Sequence, residues 1–172
     1  MNKAAFLDRD GTINIDYGYV CKYEDFTFIE GAIEALRHLQ ELGYLLIIVT
    51  NQSGIARGYC TEEDVQLLHK KMCDRLEKEG VHITGIYYCP HLGDACDCRK
   101  PKLGLFYQAA REYDIDMKGS IASGDKMRDL MLCEKEPVRG FWITESEEHI
   151  VDDKIVKVRN IREVISYVKG KI

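Results

Sequence analysis

The sequence predicts an α/β protein with a mostly parallel sheet and helices on both of its faces, and three observations carry that expectation. Short apolar runs alternate with helical periodicity from one end of the chain to the other. The run over residues 44–49 is continuously apolar rather than alternating, as in a strand covered on both faces. One helix also announces its own start, through the hydroxyl of Thr61 and the carboxylate of Asp64 three residues later, a variant capping box.

Taken in order, residues 4–7 form the first strand, an Ala-Ala-Phe-Leu run. Residues 32–42 carry Ile33, Leu36, Leu39 and Leu42 at the spacing of a helix face that stops at Gly43. A strand over 44–49 follows, and the helix capped by Thr61 runs to about residue 79. Residues 85–88 are strand-like, 103–113 helical, 120–123 a short strand, 127–135 helical and 140–143 a strand, with a last strand and helix over 154–158 and 161–168. Strands joined by helical crossovers run parallel, which makes the arrangement Rossmann-like. The irregular stretches 14–27 and 90–102 are expected loops, where function is often carried on a rigid scaffold.

The 172 residues suit one domain, 1–172, large enough to remove about two thirds of its unfolded surface from water. A net charge of −5, with signs interspersed and no clustered run of Lys and Arg, argues against a nucleic-acid surface. No stretch approaches the ~18 apolar residues of a membrane span and the start does not read as a signal peptide, so the cytoplasm is the expected location and no membrane partner is expected. A monomer is expected, because no apolar stripe demands a partner. Seven cysteines cannot all pair within one chain, which favours a reducing compartment. Cys21, Cys60, Cys73 and Cys133 are scattered and read as small buried or idle thiols. His38, His69, His82 and His149 read as surface or satisfied histidines.

Chemistry gathers at the ends of the strands. Asp8 and Asp10 follow the first strand and precede a turn at Gly11-Thr12, which puts two carboxylates at the edge where open α/β sheets bind ligands. Two acids crowded there repel unless a cation lies between them, and Mg²⁺ prefers such oxygens together with phosphate and water. The second strand ends in Thr50-Asn51-Gln52-Ser53-Gly54, whose hydroxyl, amide and backbone N–H groups suit phosphate oxygens. Arg99-Lys100-Pro101 follows a cysteine cluster, and Asp125 leaves another apolar strand as a third acid. Cys89-x-His91 and Cys96-x-Cys98 supply three thiolates and an imidazole within ten residues, a set suited to tetrahedral Zn²⁺.

The order Asp-x-Asp-Gly-Thr, Thr-Asn, Lys-Pro and Gly-Asp-x-x-x-Asp resembles the haloacid dehalogenase-like phosphatases over residues 4–143. The strings at 16–20, 50–58 and 87–91 resemble the branch acting on heptose bisphosphates, a near relative of the histidinol-phosphatase group. The resemblance implies that Asp8 forms an aspartyl-phosphate while Asp10 serves first as general acid and then as general base. It further implies that Mg²⁺ is held by the Asp8 side chain, the Asp10 carbonyl and Asp125, and that Thr50 and Lys100 stabilise the transferring phosphoryl group. Asp16, Tyr17, Gly18, Tyr19, Asn51, Gln52, Ser53, Arg99 and Lys126 are the implied substrate contacts, with Asp129 orienting Lys100 or a metal-bound water. Residues 89–98 are the implied structural zinc loop, with Cys89, His91, Cys96 and Cys98 as its four ligands. No large cap domain fits between the motifs, so the loops 14–27, 54–58 and 89–98 would cover the pocket. The implied reaction removes the 7-phosphate of a heptose 1,7-bisphosphate, a small-molecule sugar bisphosphate, in nucleotide-heptose synthesis. Arg99 is the expected grip on the remote 1-phosphate. Histidinol phosphate is the alternative substrate, and an inactive, zinc-stabilised phosphate-binding module is the alternative of another class.

Overall fold

In the computed structural model, which describes residues 1–150 and 152–169, the first strand shows how the layers arise. β1 (Lys3–Leu7) turns Ala4 and Phe6 to one face and Ala5 and Leu7 to the other, and all four are buried. The remaining elements are α1 (Ala32–Glu41), β2 (Tyr44–Asn51), α2 (Glu62–Lys78), β3 (Gly85–Cys89), α3 (Gly104–Glu112), β4 (Ile121–Gly124), α4 (Leu132–Lys135), β5 (Arg139–Ile143), β6 (Ile155–Val158) and α5 (Ile161–Val168). Ala5, Leu7, Leu46 and Ile48 pack with α1, α2 and α5 through Leu36, Leu39, Met72, Leu76, Val164 and Ile165. On the opposite face Phe6, Ile47 and Val49 pack with Leu105, Phe106, Leu132 and Cys133. Leu36 and Leu39 are wholly buried, so truncating either to Ala costs about 2–5 kcal/mol.

The sheet has six strands in the order β3-β2-β1-β4-β5-β6, every pairing parallel. From β1 the chain steps outward to β2 and β3, then returns to the other side of β1 to lay down β4. This reversal opens a crevice between the C-terminal ends of β1 and β4, where ligands of such sheets bind. Beyond residue 143 the chain completes the sheet with β6 and covers α1 with α5. Among the described residues no helix is long and apolar enough to cross a membrane.

The expected elements are present, with informative differences. The capping box stands as read: Thr61 Oγ1 accepts from Asp64 N at 3.1 Å and Asp64 Oδ2 accepts from Thr61 N at 3.0 Å. β2 runs two residues past its expected end, because Thr50 and Asn51 still pair with Tyr88 and Cys89. The helix expected over 127–135 is instead a 3-10 turn, Met127–Leu130, followed by α4. Asp129 explains the break: its carboxylate turns back to accept from Lys126 N at 3.0 Å and pairs with Lys100, which tightens the first turn. The reading of Cys21 and Cys60 as idle thiols is corrected. They form a disulfide across 39 residues, packed with Val65 and Ile55, because the loop after β1 folds onto the segment that leads into α2.

Candidate active site

The β1 exit is a compact turn. Asp8 N donates to Ser123 O at 3.0 Å, tying β1 to β4, and Arg9 O accepts from Thr12 N at 3.2 Å and Ile13 N at 2.8 Å. Gly11 sits at φ +82°, and a Cβ there would overlap the Asp125 carboxylate, so glycine at this position both makes the turn and admits the third acid. Asp8, Asp10 and Asp125 thereby share one cavity of about 320 Å³ at the crevice between β1 and β4.

Lys100 lies at the floor, 2% exposed, with its Nζ 3.0 Å from Asp8 Oδ1, 2.6 Å from Asp129 Oδ1 and 2.6 Å from Val49 O. Asn51 fixes its backbone from the end of β2: the amide donates to Lys100 O at 3.1 Å and Asn51 Oδ1 accepts from Lys100 N at 3.0 Å. Burial pushes the Asp8 carboxyl up to about 8, against the pull of Lys100 and with reinforcement from Asp129, Asp10 and Asp125. Burial, with Asp129, likewise raises Asp125. Carboxylate oxygens of Asp8, Asp125 and Asp129 lie within 4.8 Å of one another. Asp129 has both oxygens engaged, one by Lys100 and one by the Lys126 N–H. The hard oxygens still open to a cation are therefore Asp8 Oδ2 and the Asp125 carboxylate, a donor set that fits Mg²⁺ and whose crowding a cation relieves.

Asp10 is held from two sides. Its Oδ1 accepts from Arg9 Nη2 at 2.8 Å and Asn14 Nδ2 at 2.9 Å, and its Oδ2 accepts from Gln52 Nε2 at 2.9 Å. The same Gln52 nitrogen reaches Thr50 Oγ1 at 3.0 Å, so Thr50, 1% exposed, stands behind Gln52 rather than in the cavity wall. The wall brings together Asp16, Gly18, Tyr19, Asn51, Gln52, Ser53, Arg99 and Lys126. Tyr17 is the exception, because it faces a neighbouring depression beside Glu24 and Asp25. The chain passes through positive φ at Gly18 (+81°) and Tyr19 (+49°), and Tyr19 borders both the cavity and that depression.

Arg57 and Arg128 also line the cavity and were missed by sequence reasoning, although both sit inside strings it singled out. The Arg57 guanidinium lies over the Tyr19 ring, 5.3 Å from its centroid, and that ring meets Tyr59 edge-on at 5.0 Å. The rim consequently carries Arg57, Arg99, Lys126 and Arg128, with Asp16 as its only acid, among the described residues, beyond those at the floor.

Beside this rim Cys89, His91, Cys96 and Cys98 converge, with Cys89 Sγ 3.4 Å from His91 Nδ1, 3.5 Å from Cys96 Sγ and 3.0 Å from Cys98 Sγ. Zn–S bonds of about 2.3 Å at tetrahedral angles put sulfurs ~3.8 Å apart, so a small expansion of this set accommodates zinc through His91 Nδ1 and three thiolates. Burial raises the Cys89 and Cys98 thiols, whereas at Cys96 the backbone N–H groups of Arg99 and Cys98 overcome the upward push of burial and draw the thiol down to about 6, toward the metal-binding thiolate. Arg99 Nη1 donates to His91 O at 3.3 Å, so the cluster and the rim share a loop.

A parallel sheet with an acid pair after β1, a lysine shared between acids and a further acid after β4 defines the class: a haloacid dehalogenase-like phosphatase. The comparisons with known proteins agree. The model of the polynucleotide kinase 3 phosphatase family matches residues 3–133, and the chain belongs to that family. It is 53% identical over 137 residues, 76% of this chain and 74% of the other, to a D-glycero-beta-D-manno-heptose-1,7-bisphosphate 7-phosphatase of Haemophilus influenzae. It is 44% identical over 169 residues, 98% of this chain and 97% of the other, to a D-glycero-alpha-D-manno-heptose-1,7-bisphosphate 7-phosphatase of Campylobacter jejuni. The crystal structure of a D,D-heptose 1,7-bisphosphate phosphatase from B. bronchiseptica, complexed with magnesium and phosphate, superposes with a TM-score of 0.87 at 28% identity, covering 96% of this chain and 97% of that one.

Proposed function

We propose that this phosphatase removes the 7-phosphate of D-glycero-D-manno-heptose 1,7-bisphosphate, as a single-domain cytoplasmic monomer in nucleotide-heptose synthesis. The observation that carries the choice of substrate is the cationic rim, Arg57, Arg99, Lys126 and Arg128, facing a floor that already has its own acids and lysine. One phosphate occupies the floor, and the rim offers a second anionic group its guanidinium partners. Histidinol phosphate brings a cationic amine instead, for which the rim, among the described residues, supplies only Asp16. The names of the relatives support the same substrate.

In this reading Asp8 attacks phosphorus, giving an aspartyl-phosphate and dividing one displacement into two easier ones. Asp10, aimed by Arg9, Asn14 and Gln52, protonates the departing sugar alkoxide and then takes a proton from the hydrolytic water. Lys100 sets its charge against the transferring phosphoryl group from its place between Asp8 and Asp129, and Asn51 keeps Lys100 in register, while Thr50, behind the cavity wall, accepts from the Gln52 amide that also holds Asp10. Asp8, Asp125 and the Asp10 carbonyl are the groups proposed to hold Mg²⁺, which when bound supplies positive charge against the phosphate oxygens. Cys89, His91, Cys96 and Cys98 are proposed to hold a structural Zn²⁺ that fixes Arg99 at the rim, since four protein ligands leave no position for an activated water.

Relatives of both anomeric names match, so the test measures kcat/KM for the α and β anomers and for histidinol phosphate side by side. A large preference for one heptose bisphosphate is expected and also assigns the anomer. A large preference for histidinol phosphate overturns the substrate.

A further inference from the structure

We propose that Arg9 is a positioning residue that aims Asp10, and that His69, on a helix outside the cavity, is the support that holds Arg9 in that role. The proposal rests on the reading of Asp10 as general acid and base, and adds to it the side chains that set its geometry.

Arg9 stands between the two acids of the motif yet has no exposure to solvent. A wholly buried guanidinium is costly unless its donors are met. Three elements meet them here. Nη2 lies 2.8 Å from Asp10 Oδ1 and donates to Val20 O at 2.6 Å, Nε lies 3.3 Å from Asp10 Oδ1, and Nη1 is 3.0 Å from His69 Nε2. The guanidinium thus ties the turn after β1 to the loop that carries Asp16–Tyr19 and to α2, 60 residues away in the chain.

His69 is 6% exposed, with its ring against Tyr88 at 5.7 Å between centroids. Arg9 can only donate, so His69 Nε2 must accept, which assigns the neutral ring with its proton on Nδ1. Burial first, and the Arg9 charge second, lower this histidine to about 3, in keeping with a permanently neutral acceptor. With Arg9 and Asn14 on Oδ1 and Gln52 on Oδ2, the Asp10 carboxylate cannot rotate about its last bond without losing a donor. Releasing the Arg9 end leaves Oδ1 to Asn14 alone and loosens that hold. A catalytic group misplaced by about 1 Å loses on the order of 10²-fold in rate.

The test uses leaving-group chemistry. An alkyl phosphate needs its departing oxygen protonated, whereas p-nitrophenolate leaves unaided, and kcat/KM reports the step that transfers phosphorus to Asp8. The comparison is heptose 1,7-bisphosphate, or histidinol phosphate should the wild-type enzyme prefer it, against p-nitrophenyl phosphate. His69→Leu is expected to lower kcat/KM for the alkyl ester roughly tenfold or more, through kcat with KM unmoved, and to leave the aryl ester little changed. His69→Gln, which keeps an acceptor at a similar reach, is expected to restore the alkyl activity. Arg9→Lys, with one ammonium in place of a fork, is expected to fall between Arg9→Ala and wild type. Equal losses on both esters in His69→Leu, or no recovery in His69→Gln, overturn the proposal, since a merely structural histidine would damage both substrates alike. Asp10→Asn is the reference: if it shows the leaving-group dependence and His69→Leu does not, the proposal alone fails. If Asp10→Asn loses both activities equally, the acid–base reading fails and takes the proposal with it.

Discussion

Replacing Lys100 by Met tests the electrostatics of the site most severely. The lysine is 2% exposed and joins Asp8 at 3.0 Å to Asp129 at 2.6 Å, with Val49 O as its third acceptor at 2.6 Å. Methionine fills a similar volume but leaves two buried carboxylates facing each other without a cation. Removing one partner of a buried pair costs about 3–5 kcal/mol. For a domain of this size that is roughly 10 °C in Tm. The measurement is thermal and urea denaturation in the presence of a chelator, so that no divalent cation replaces the lysine. The cost should grow as pH rises through about 8. Below that both folded proteins keep the Asp8 proton and lose stability alike as pH rises from the unfolded value of 3.8, whereas above it only the variant, freed of the pull of Lys100, still holds the proton and goes on losing stability. Asp129→Asn in the same background should recover a large part of the loss by removing one stranded charge. A Lys100→Met cost below about 1 kcal/mol, the range of a surface ion pair, would refute this reasoning, as would a cost that does not change with pH.

Three further outcomes are expected. The metal-free wild-type protein should itself lose stability as pH rises from 5 toward 8, because the Asp8 carboxyl is raised in the folded state above its unfolded value of 3.8, and Mg²⁺ should stabilise more strongly at the upper end of that window, as read by Tm with and without the ion. Metal analysis should find about one zinc per chain, and Cys98→Ser should remove it and lower the urea midpoint; a metal-free protein of undiminished stability would contradict the structural assignment. Replacing Cys21 and Cys60 with Ser should cost up to about 4 kcal/mol from the chain-entropy term of a 39-residue separation, measured by urea denaturation against the untreated protein and against protein treated with a reductant.

Local signals carried the layout of the fold. Apolar periodicity marked the strands and helices, and the pairing of Thr61 with Asp64 located the start of α2, because both are written within a few residues of chain. The acids Asp8, Asp10 and Asp125 were legible for a related reason: each directly follows an apolar strand, and parallel topology brings such ends to one edge. Features that depend on long-range contact were not legible. Cys21 meets Cys60 only after the loop has folded, and the Arg9–His69 contact spans 60 residues with no spacing rule to suggest it. The helix expected over 127–135 failed locally because Asp129 is committed to Lys100, a pairing that the family resemblance implied and that residue spacing alone does not reveal. Tyr17 lines a neighbouring depression and not the cavity, and the positive φ of the adjoining Tyr19 is a backbone turn that no composition rule places at a tyrosine.

Catalysis turns on Asp8 carrying phosphorus. The most direct measurement is acid quenching during turnover with Mg²⁺ present, followed by proteolysis and mass spectrometry of the peptide that contains Asp8. A phosphate-mass adduct on Asp8 that forms and decays at rates competent for turnover, and that Asp8→Asn lacks while remaining folded, is the expected result. Phosphate release at full rate with no adduct, or near-normal turnover by Asp8→Asn, would contradict the account.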